Sequence, residues 1–197
     1  MNTLPYTEVD MPELVARTKE LFWEHIYDKS ESNKVAMKSE GILSLLLRDI
    51  PEHSVVNELR KDYPFLSKHL YLFNMRPGFV TLVHLDGYPE GVVGQRPMSI
   101  NIPIRGCTDL CTTEFFDMGE DDFYIELRFG TRVPKPGIEL PPVMASYCLQ
   151  QNKPMIIDTQ VPHRVNNLIN TEYRTSVSWT ITPGWTLEKI LDFAENK

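Results

Sequence analysis

Cysteine is scarce: Cys107, Cys111 and Cys148 are the only three in 197 residues. So sparse and odd a set builds no disulfide framework, and it points to a reducing, cytoplasmic setting. Cys107 and Cys111 form a single Cys-x-x-x-Cys, but a zinc site needs two further ligands at matching spacing and none is adjacent. They read as buried thiols. Clustered positive charge is also missing. The formal net charge is -7, with no Lys/Arg patch, which argues against a nucleic-acid partner. No apolar run approaches the roughly 20 residues that span a bilayer. The opening "MNTLPYTEVD" has neither the basic start nor the apolar centre of a signal peptide. Internal repeats and low-complexity segments are absent, and nothing in the composition states an oligomeric state.

A hydrophobic share of 42% against 24% charged residues is the balance of a globular chain. Its length suits one domain with a sizeable core. The texture changes near residue 70, which divides that domain into a helical support over 1–69, a β core over 70–182 and a closing helix over 183–197. In the first part, Asp10 is placed to cap a helix, with Pro12 in its first turn and Glu13 at the capping-box position. Leu14, Val15, Leu21, Phe22 and Ile26 then recur on one face. A second apolar helix is expected over "EGILSLLLRDI", and a third begins at Ser54. Beyond residue 70, the runs "YLFNM", "FVTLVHL", "MSINIPI", "TEFFD", "FYIELRF", "MASYCL", "PMIID" and "RTSVSWTI" are rich in β-branched and aromatic residues. Gly, Pro, Asn or Asp separates them. No helical pattern intervenes, which argues against parallel α/β winding and for a sandwich or jelly-roll barrel. The chain closes on an amphipathic helix with Leu187, Ile190, Leu191 and Ala194, capped near Thr186.

Chemistry enters with "HLD". Side chains alternate along a strand, so His84 and Asp86 share a face with Leu85 opposite. Alone this pair is weak: five histidines and eleven aspartates in 197 residues produce by chance about 0.3 such pairs. His163 changes the weight. It stands beside Pro162 at a strand entrance, and distant strands of a jelly roll lie side by side, so it can meet His84 and Asp86 at one barrel mouth. Two imidazoles and a carboxylate on one face of an ion leave three positions open, the arrangement of non-haem Fe(II) oxygenases. In "YRTSVSW", Arg174, Ser176 and Ser178 share one face. An arginine directed into a barrel is costly unless an anion meets it, and its planar fork recognises a carboxylate, with Ser176 adding a hydroxyl.

The order His-x-Asp, distant His, then Arg-x-Ser resembles the 2-oxoglutarate- and Fe(II)-dependent oxygenase superfamily. "HLDG", "MSINIPI" and "PHRVNN" look most like its small double-stranded β-helix members related to aspartyl/asparaginyl β-hydroxylases, over about residues 70 to 182. The resemblance implies a mainly β, cupin-like double-stranded β-helix with N-terminal helices and a C-terminal helix. It also implies His84, Asp86 and His163 as iron ligands at the catalytic centre, and Arg174 and Ser176 as holders of the distal carboxylate of 2-oxoglutarate. Succinate and CO2 would be co-products of hydroxylating a small molecule, amino acid or peptide side chain. Aspartyl/asparaginyl β-hydroxylases can lack the metal-binding carboxylate, so their substrate is not carried over. Asp86 also argues against a halogenase, which leaves that position vacant for halide.

Other polar residues stay open. Asn101 either bonds the C1 carboxylate or a metal ligand, or satisfies a neighbouring strand. Asn74, Arg76 and Arg105 are weaker candidates for the same role. Asn166 and Asn167 read as turn residues, and His25, His53 and His69 as ordinary surface or core histidines, His25 and His69 in helical surroundings. The acidic and proline-rich stretch over 117–143 is either a substrate-choosing lid or a solvated connection. Two rival functions stand beside the oxygenase: a cupin-like metal-binding protein without oxygen chemistry, and a non-enzymatic interaction barrel. A carboxylate clamp at Arg174 and Ser176 does not serve the first, and an intact ligand set weighs against the second.

Overall fold

The structure is a computed structural model that describes residues 4–22, 42–46, 54–87, 98–125, 131–150 and 152–197. Strands are numbered in chain order. A six-stranded antiparallel sheet runs β1 (Tyr6–Glu8), β10 (Met155–Asp158), β5 (Met98–Arg105), β12 (Arg174–Ile181), β3 (Leu66–Met75), β2 (Ile42–Leu46). A four-stranded antiparallel sheet runs β4 (Phe79–Val80), β11 (His163–Asn167), β6 (Thr112–Phe116), β9 (Val143–Cys148). A short ribbon pairs β7 (Phe123–Ile125) with β8 (Arg132–Pro134). From β3 onward the chain steps between the large and small sheets: β3, β5, β10 and β12 in one, β4, β6, β9 and β11 in the other. That alternation is a double-stranded β-helix, the jelly-roll barrel of cupins.

Strand periodicity sorts the large sheet into two faces. Val177, Trp179 and Ile181 of β12, with Ile100, Ile102 and Ile104 of β5 and Leu70 and Leu72 of β3, point outward into the main core. Among the described residues, three helices cover that face: α1 (Pro12–Leu21), α2 (Ser54–Asp62) and α3 (Leu187–Glu195). Leu14, Val15 and Leu21 of α1, Val56 and Leu59 of α2 and Ile190 of α3 bury against it. Each fully buried large apolar side chain contributes about 1.5–3 kcal/mol, so this layer anchors the large sheet. The intervening side chains, Ser99, Asn101 and Pro103 of β5 and Arg174, Ser176, Ser178 and Thr180 of β12, therefore turn into the barrel. Thr186 caps α3 as expected, accepting from the backbone N–H of Lys189.

Local expectations failed in four places. The stretch Ile42–Leu46, expected as helix, is strand β2 along β3; a short continuous apolar run suits either state, and the open edge of β3 decides. Helix α1 is preceded by Met11 with no side-chain cap, so Asp10 does not cap it, although Pro12 does open it. His69, expected in helical surroundings, lies on β3. "FVTLVHL" is not one strand. After Phe79–Val80 the Thr81 hydroxyl, not a carbonyl, accepts the Val165 N–H at 2.9 Å, and pairing resumes only as single bridges at His84 and Leu85. His25, His53 and Ile26 lie outside the described residues. Among the described residues no helix is long and apolar enough to cross a membrane.

Candidate metal centre and anion pocket

The interruption after β4 positions the site. Leu85 buries with Val83, Phe116 and Phe123 and exchanges backbone bonds with Arg132 of β8. Its neighbours His84 and Asp86 turn to the opposite side, into the barrel cavity. The Asp86 N–H donates to the Thr159 carbonyl at 3.3 Å, tying this segment to the end of β10. His163 opens β11 opposite Phe115, as a strand-entrance residue, and pairs by its backbone with His84.

The structure thus brings together His84, Asp86 and His163, with one donor atom of each within 4.8 Å of the others. His84 Nε2 stands 3.7 Å from Asp86 Oδ1. The Nδ1 atoms of His84 and His163 each lie 2.9 Å from a carbonyl two residues back, Leu82 O and Val161 O. A carbonyl only accepts, so each Nδ1 carries a proton, and the neutral form of each ring then offers its lone pair at Nε2. Backbone partners of this kind orient metal-ligating histidines. Donors this close together could hold one ion, and their chemistry suits iron or another borderline divalent cation.

The same cavity, about 90 Å³, is lined by these three residues and by Asn101, Thr113, Arg174, Ser176 and Ser178 among others. Phe73, Met75, Ile157 and Val165 supply its apolar walls. Arg174 is buried, and among the described residues no carboxylate forms an ion pair with it. Its ionisable neighbours are Cys107, Cys111 and Tyr147. Burial, partly offset by Arg174, pushes the Cys111 thiol up to about 11 and also raises Cys107 and the Tyr147 phenol. All three are neutral at physiological pH. A desolvated guanidinium that lines a cavity with no carboxylate paired to it among the described residues is a binding group for an anion from outside.

Asn101 lines the cavity. Its Nδ2 donates to Tyr147 Oη at 3.2 Å, which spans the two sheets. Asn74 and Arg105 do not join the cavity. They meet at Thr175 on the outward face of β12, where Thr175 Oγ1 donates to Asn74 Oδ1 at 2.7 Å and accepts from Arg105 Nε at 3.2 Å. Arg76 lies over the Phe79 ring. Cys107 and Cys111 are buried free thiols. Asn166 bonds Glu114, which also pairs with Arg164. Asn167, taken for a turn residue, is fully buried. Thr81, Thr113 and Ser178 line the cavity without having been singled out as site residues; for Thr113 and Ser178, strand alternation was the available signal.

No known family profile matches the chain, and no curated protein sequence matches it. Solved structures similar to it include a Pseudomonas putida prolyl-4-hydroxylase, at 13% identity and TM-score 0.47, covering 91% of this chain and 92% of that one. The X-ray structure of ycfD from E. coli is similar at 14% identity and TM-score 0.45, covering 78% of this chain and 36% of that one. Vicilin from hazelnut (Corylus avellana) is similar at 9% identity and TM-score 0.37, covering 71% of this chain and 28% of that one. The chain therefore spans only about a third of the ycfD and vicilin chains.

Proposed function

We propose that the chain is a non-haem Fe(II)- and 2-oxoglutarate-dependent oxygenase that hydroxylates a small molecule, a free amino acid or a peptide side chain. One observation carries this: a single cavity joins the donor set His84, Asp86 and His163 to the buried cation Arg174, with which no carboxylate among the described residues forms an ion pair. A metal-storing cupin needs the first group and has no use for the second.

The roles follow from the side chains. His84 and His163 offer Nε2 lone pairs held in place by the Leu82 and Val161 carbonyls. Asp86 supplies the one anionic ligand. Arg174 holds the distal carboxylate of 2-oxoglutarate through two N–H groups, and Ser176, next on the same face, adds a hydroxyl. Asn101, anchored by Tyr147, is placed to orient the keto-acid end. Phe73, Met75, Ile157 and Val165 keep water out, which strengthens each of these polar contacts. Iron and the keto acid, when bound, supply the oxidising chemistry.

Anaerobic addition of Fe(II) and 2-oxoglutarate tests the proposal. A weak visible charge-transfer band should appear only when both are present and should be lost in His163→Ala. Tight iron binding with no band at saturating keto acid favours the metal-binding cupin instead.

A further inference from the structure

Asn167 and Asn170 are almost completely buried yet do not line the cavity. Asn170 Nδ2 donates to the Gly106 carbonyl at 3.0 Å and to Asn167 Oδ1 at 2.9 Å, and Asn170 Oδ1 accepts from the Glu172 N–H at 3.1 Å. Asn167 Nδ2 faces three carbonyls, those of Arg76 at 2.9 Å, Glu172 at 3.3 Å and Met75 at 3.4 Å. The pair therefore joins the end of β3, the end of β5 and the turn that delivers β12.

All three chain segments converge on the root of Arg174. Met75 is its partner across the β3–β12 ladder. Gly106, at φ +60°, lies so close behind it that a Cβ there would stand 2.0 Å from the Tyr173 carbonyl oxygen and 3.4 Å from Arg174 N. Only glycine fits that approach. The next residue, Cys107, donates its thiol to the Thr175 carbonyl at 3.3 Å. A satisfied buried network of this kind rigidifies what it holds, and a bidentate clamp works only within about 0.5 Å of its productive position.

We infer that Asn167 and Asn170 are positioning residues for the carboxylate clamp: they fix where Arg174 presents its fork and so set the preference for a keto diacid over a keto acid that lacks the distal carboxylate. The inference rests on the function proposed above. Asn170→Asp keeps the acceptor for Glu172 and turns the two donated bonds into acceptor–acceptor contacts. Gly106→Ala disturbs the same peptide from the other side, and Asn170→Ala is a milder form.

The test is anaerobic calorimetry of 2-oxoglutarate and of 2-oxobutyrate binding to the metal-loaded protein, on variants shown to be folded by near-UV circular dichroism. Asn170→Asp and Gly106→Ala should weaken 2-oxoglutarate by about tenfold or more, the scale of one lost hydrogen bond to a charged group. Their affinity for metal and for 2-oxobutyrate should stay at the wild-type level. Folded variants that bind 2-oxoglutarate normally while Arg174→Ala does not would overturn the inference and leave the proposed function standing. Equal weakening of both keto acids would overturn it too. Unchanged 2-oxoglutarate binding in Arg174→Ala would instead overturn the proposed function, and this inference with it.

Discussion

His84 and His163 exchange both backbone hydrogen bonds, at 2.9 and 3.0 Å, and their rings lie 4.5 Å apart at the centroids. Two residues far apart in sequence are thereby one cross-strand pair with side chains on the same face. With the donor geometry set by the backbone, loss of a ligand side chain should not collapse the site. His84→Ala, Asp86→Ala and His163→Ala should each keep the fold and lose more metal affinity than the roughly 10–100-fold that removal of an outer-shell partner costs. Metal titration checks this, and wild-type affinity in all three variants would place the metal elsewhere.

On the proposed function, Arg174 should act on the cosubstrate and not on the metal. Removing it from a buried, anion-binding position should cost about 2–5 kcal/mol of 2-oxoglutarate binding. Arg174→Lys keeps the charge without the planar fork and should recover only part of that loss. Metal affinity should survive both changes, measured by the same titration.

Alkaline pH should destabilise the fold. Burial raises the Cys111 thiol from 9.0 to about 11 and also raises Cys107 and Tyr147. The folded chain then retains protons that the unfolded chain releases, so this contribution is full below pH 9.0 and is lost as pH rises through about 11. Thermal unfolding midpoints should fall over that window, less steeply in Cys111→Ala. Midpoints that hold steady there would contradict the assignment.

Trp179 is fully buried, and its indole N–H has no hydrogen-bond partner among the described residues. Its value is therefore volume. Trp179→Ala should cost about 3–5 kcal/mol in urea unfolding, and Trp179→Phe clearly less, because no hydrogen bond is lost with the indole. Equal losses would show that the N–H matters after all.

Much of this architecture was legible because alternation survives in strands buried on both faces. "RTSVSWTI" sends Arg174, Ser176 and Ser178 inward and Val177 and Trp179 outward, as the residue pattern requires, and "SINIPI" does the same for Asn101. His84, Asp86, His163 and Arg174 were within reach because each occupies a position whose face can be read from two or three neighbours. The remainder depended on contacts between distant segments. Nothing near Asn101 announces Tyr147, which arrives from the other sheet. Asn167 and Asn170 have the composition of a surface turn, and only the convergence of three strand ends buries them. Strands β1 and β8 are three residues each, too short for a period, and exist because β10 and β7 offer edges.

The most direct measurement is succinate formation from 2-oxoglutarate by the purified protein, which needs no knowledge of the prime substrate. Slow turnover should be seen with Fe(II) and O2 together, absent when either is withheld, absent in His163→Ala, and faster with the right C–H donor. A folded, iron-loaded protein that binds 2-oxoglutarate yet makes no succinate with any of a panel of amino acids, peptides and nucleosides would contradict the proposed oxygenase activity.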